Sequence, residues 1–166
     1  TGHAAVAYGM YSVFFAAYAL RYNKAWLGYV ATASIALGVI FALQHFEMET
    51  WLFILTALSA IYYFVGFLLV RNEKLITWSN MLRFSGLGLG SLASLWALVT
   101  LEASGGWYLL ITALLFGIEM FSRRAGLAEA GLQLFFAGGI FMLLREAGIE
   151  RSYQWLGIAL TLLGTD

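Results

Sequence analysis

Long apolar runs alternate with short polar punctuation along the whole chain. A helix needs about 20 apolar residues to cross a bilayer. Cutting at the punctuation predicts spanning helices over 4–21, 25–45, 50–70, 76–101, 106–122 and 127–144, with a further apolar segment over 154–166. That last segment is too short to cross, and WLGIALTLLG has no polar face and no cap, so the chain is expected to continue past Asp166. Thr1 in place of a start methionine is read in the same way, as a trimmed or partial chain. The opening run lacks a basic leader and an A-x-A-type exit, which makes it a spanning helix and not a signal peptide. The predicted fold is an all-α, polytopic transmembrane helix bundle of six full spans plus a short or truncated seventh, forming one transmembrane domain over 1–166.

The polar punctuation sorts by charge. Arg21, Lys24, Arg71, Lys74, Arg123 and Arg124 fall in one set of loops. Glu47, Glu49, Glu102, Glu146 and Glu150 fall in the other, where Arg145 and Arg151 are the basic residues. Short basic loops stay on the cytoplasmic side. The expected location is therefore a bacterial inner (plasma) membrane, with the N-terminus outside and the loops after helices 1, 3 and 5 cytoplasmic. Trp26, Trp51, Trp78, Trp107 and Trp155 sit near helix starts, where an aromatic belt anchors a span at the interface.

A second pattern lies over the first. WLFILTAL (51–58) and WYLLITAL (107–114) share Trp, Thr, Ala and Leu in place, and WLGIALTLLG is a fainter third copy. Each follows a short polar loop, and the first two helices end in basic turns, VRNEK and SRRAG. The implied unit is an antiparallel helix hairpin, repeated over 25–71, 76–124 and 127–166. Repeats in one orientation predict a parallel-repeat bundle, unlike the inverted repeats of many secondary transporters.

Composition narrows the function classes. The chain is 62% hydrophobic and 11% charged, against roughly 45–50% and about 25% in an average soluble domain. Membrane lipids are thus the first partners. The net charge is zero and no basic block exists, so nucleic acid is not an expected partner. The absence of cysteine removes disulfides, thiolate metal sites and cysteine nucleophiles, and His3 and His45 are too few and too far apart to suggest zinc. No metal and no cofactor is predicted. The absence of proline leaves glycine alone to break a helix, which counts against carrier folds built on discontinuous helices.

Close helix contact in lipid requires small residues. In helix 4, Gly86 and Gly90 form a GxxxG that Ser94 extends by a turn. Helix 2 offers Gly28, Thr32 and Ala36, and helix 6 offers Gly131, Gly138 and Gly139. These are read as packing positions. A phosphate-cradling loop would need a strand-to-helix turn that the GLGLG run lacks.

Ionisable and amide groups at membrane depth are the candidate functional residues, because they are costly to place there. Asn80, Arg83, Glu119, Glu129 and Gln133 qualify as a speculative substrate or ion-binding set, all near the expected cytoplasmic side. Glu119 has two competing partners. Arg123 lies one turn onward, near water. Arg83 lies across the 4–5 hairpin, 101 − 83 = 18 residues from the outer turn against 119 − 106 = 13 for Glu119. The five-residue difference is about 7.5 Å at about 1.5 Å per residue, a gap that an arginine side chain mostly closes. His45, beside Glu47 and Glu49, reads as a wet loop histidine with a pH sensor as the sharper alternative. Glu102 and Glu146 sit in different hairpins, and Ser85, Ser91 and Ser94 have no nearby histidine, so no catalytic residues are assigned. The aromatic content of 17%, with Tyr62 and Tyr63 in helix 3, suits a pocket for lipid, quinone or pigment and suits ordinary packing equally.

Three functions follow in order. The first is a non-enzymatic transmembrane module: an anchor, scaffold or subunit whose partners are other membrane subunits or a fused soluble domain. The second is a small transporter or channel with a polar vestibule on the cytoplasmic side. The third, with least support, is an enzyme acting on a lipid-soluble substrate.

Overall fold

The computed structural model describes residues 2–102, 104–123 and 126–163. Arg124, one of the basic loop residues, and the last residues of the seventh segment and third repeat lie outside this set. The described residues form seven α-helices and no strand: α1 (Gly2–Tyr22), α2 (Ala25–His45), α3 (Trp51–Leu69), α4 (Ile76–Thr100), α5 (Gly105–Arg123), α6 (Gly126–Glu146) and α7 (Arg151–Leu163). The first six are long and apolar enough to cross a membrane. The all-α bundle with six spanning-length helices and a shorter seventh is thus the observed fold. Helix ends match the expected cuts within a few residues, because polar punctuation and not propensity ends each run.

The helices stop by one device used four times. Asn23, Glu47, Leu101 and Gly148 each take a positive φ, between 49° and 71°. The next N–H then reaches back to the carbonyl five residues earlier: Lys24 to Ala19, Met48 to Leu43, Glu102 to Ala97 and Ile149 to Leu144, at 3.0–3.1 Å. This is the Schellman closure, which satisfies orphan carbonyls at a helix end. Gly148 adopts it without strain, whereas Leu101 carries a Cβ into the left-handed region. Before α4 a short 3₁₀ turn (Glu73–Leu75) is capped by Asn72, whose Oδ1 accepts from the Lys74 N–H at 3.1 Å.

The chain divides into two compact units, Thr1–Leu89 and Gly90–Asp166, with the boundary inside α4. In the first, α1 lies along α2, and α2 meets α3 at few positions. Both α2 and α3 close on the N-terminal half of α4. Gly28 of α2 admits the Met81 and Trp78 side chains, and Thr32 Oγ1 lies 2.9 Å from Ser85 Oγ. The core holds Leu43, Leu52, Leu55, Tyr63, Met81 and Leu87.

In the second unit, α5 packs along α6, and α6 along α7. Glycine governs this contact. A Cβ on Gly106 would meet Leu143 and the Gly139 carbonyl, one on Gly139 would meet Leu110 and the Gly106 carbonyl, and one on Gly131 would enter the Phe116 ring. Phe116 stacks on Phe135 at 5.5 Å, and Gly157 of α7 receives Leu144.

Candidate functional site

The polar candidates divide between the units: Asn80 and Arg83 belong to the first, Glu119, Glu129 and Gln133 to the second. Arg83 is the best-defined. It is 3% exposed, and its guanidinium carbon sits 5.6 Å from the centroids of both the Tyr63 and Phe67 rings. Ring faces attract a cation, and the attraction grows as water is removed. Asn80 lies nearby on α4 and is half-buried.

The helices bring the Tyr63 and Arg83 backbones close by a reciprocal seam. Ser59 Oγ donates to the Gly86 carbonyl at 2.8 Å, and Ser79 Oγ donates to the Gly66 carbonyl at 2.7 Å. Each glycine lies against the backbone beside the facing serine: a Cβ on Gly66 would come within 2.7 Å of the Ser79 carbonyl oxygen, and one on Gly86 equally close to that of Ser59. The sequence carries this seam twice, as SAIYYFVG (59–66) and SNMLRFSG (79–86), each with Ser, Phe and Gly at the same spacing. Two antiparallel helices with the same S-x₄-F-x-G pattern meet as a local pseudo-twofold, which the reading of stripes within single helices had missed. A third helix joins through hydroxyls: Tyr62 Oη donates to the Thr32 carbonyl at 3.2 Å, and Thr32 Oγ1 donates to the Tyr29 carbonyl at 3.0 Å.

The stripe Gly86, Gly90, Ser94 serves two neighbours. Gly86 faces α3, as above. Lower on α4, Ser94 Oγ lies 2.7 Å from Thr112 Oγ1 and 3.3 Å from the Tyr108 carbonyl, while Thr112 Oγ1 donates to the Gly90 carbonyl at 3.3 Å. Ser94 and Thr112 are fully buried.

Glu119 is 4% exposed, and its Oε1 lies 3.4 Å from Arg123 Nε one helical turn onward. Arg123 keeps 31% of its side chain exposed. The pair therefore joins a buried carboxylate to a half-wet cation, a mixture of the two situations that the sequence offered. On α6, Glu129 is exposed and Gln133, one turn on, is half-buried.

No protein-family model, curated protein or solved structure matches this chain. The chemistry of the site must speak for itself. Among the described residues, every buried side-chain nitrogen and oxygen has a hydrogen-bond partner. No group of three or more His, Asp or Glu residues among them is gathered to hold a metal. The buried hydroxyls spend their donors on backbone carbonyls, the usual way polar groups are made acceptable in lipid. Such an arrangement clamps helices.

One apolar groove, of about 990 Å³, runs between α1 and α2. Gly9, Gly38 and Ala42 form part of its wall, and His3 and His45 lie along it. The His45 ring rests 3.3 Å from the place of a Cβ on Gly2, and both histidines are exposed, so His45 is a surface group at a helix end.

Proposed function

We propose that this chain is a non-enzymatic transmembrane module, the anchoring or assembly part of a larger membrane protein or complex. In this reading it lies in a bacterial inner membrane, with its N-terminus outside and the loops after α1, α3 and α5 in the cytoplasm. The observation that supports the module is the closure of buried polar groups upon the fold itself. Ser59, Ser79, Ser94 and Thr112 bond neighbouring helices, and Arg83 packs against two aromatic rings, 5.6 Å from each centroid. A transport vestibule instead needs polar groups that water can reach.

The chain contains no cysteine, so single-cysteine accessibility is a direct test. Ser85→Cys and Gln133→Cys in sealed inside-out vesicles are expected to stay unreactive toward a membrane-impermeant maleimide, while Glu129→Cys at the exposed start of α6 reacts. Aqueous labelling of Ser85→Cys and Gln133→Cys at the rate of Glu129→Cys would replace the module with the transporter.

A further inference from the structure

We draw no further inference here: the strongest candidate, the cavity of about 270 Å³ that Glu102, Arg145 and Glu146 line between the α4–α5 turn and the end of α6, rests on a cluster of exposed charged side chains with no second observation that points to a ligand.

Discussion

Replacing Gly86 by alanine puts one methyl group into the seam between α3 and α4. Its Cβ would stand 2.7 Å from the Ser59 carbonyl oxygen, 2.8 Å from the Tyr63 nitrogen and 3.0 Å from the Tyr63 Cβ. Two of these neighbours are backbone, which no side-chain rotation can move away. Ordinary contact begins at 3.4 Å, so the helices must part locally by 3.4 − 2.7 = 0.7 Å. The same movement stretches the hydrogen bond from Ser59 Oγ to the Gly86 carbonyl from 2.8 Å toward its outer limit. Overpacking costs about 1–3 kcal/mol, and a weakened interhelical bond adds up to about 1 kcal/mol. Alanine returns about 1 kcal/mol of helix propensity over glycine. The net expectation is a loss of up to about 3 kcal/mol. Gly88, two residues on, is the control, because a Cβ there meets nothing within 4 Å. Gly88→Ala should be neutral or gain up to about 1 kcal/mol. Unfolding in mixed micelles by added dodecyl sulfate, followed by circular dichroism and tryptophan fluorescence, compares the two. A Gly86→Ala protein as resistant as Gly88→Ala would refute the seam.

The remaining expectations use the same assay. Gly131→Ala should cost less than Gly86→Ala, because its Cβ would meet the Phe116 ring and not backbone, and a ring can turn aside. Leu101→Gly should stabilise by about 1 kcal/mol, since it removes a Cβ from the left-handed conformation at φ 51°; a loss would show that the Leu101 side chain matters more than its strain. Arg123→Gln should destabilise more than Glu119→Gln, because it leaves a buried carboxylate without this cation, whereas glutamine removes the charge and keeps the shape. The reverse order would contradict that assignment. Ser94→Ala and Thr112→Val, alone and together, should show a coupling near 0.6 kcal/mol, the average for such pairs in lipid, and strict additivity would deny the 2.7 Å contact.

Much of the fold was legible because a bilayer imposes a length. Ala25–His45 was cut at both ends from lysine, glutamine and histidine alone, and the short seventh helix was visible as a run of insufficient length. The contact of Glu119 with Arg123 one turn onward was legible as one of the two the sequence offered, since four-residue spacing sets neighbours on a helix. Less legible was the division of labour along α4. Gly86, Gly90 and Ser94 share a stripe, yet the first meets α3 and the other two meet α5. A stripe reports that something approaches closely and carries no label for what approaches. Ser59 and Ser79 were passed over because a serine in an apolar run commonly bonds its own helix, as Thr56 does with Leu52. The signal that singles them out is the paired S-x₄-F-x-G on both arms of a hairpin.

The reciprocal seam has a consequence for how this sequence can drift. Its donors are two serine hydroxyls, and its acceptors are main-chain carbonyls of Gly66 and Gly86. No substitution deletes a carbonyl, so half of each bond is immune to mutation and needs no coordinated change in the facing helix. The demands of these two bonds on the sequence are thereby concentrated in four small residues of the α3–α4 junction.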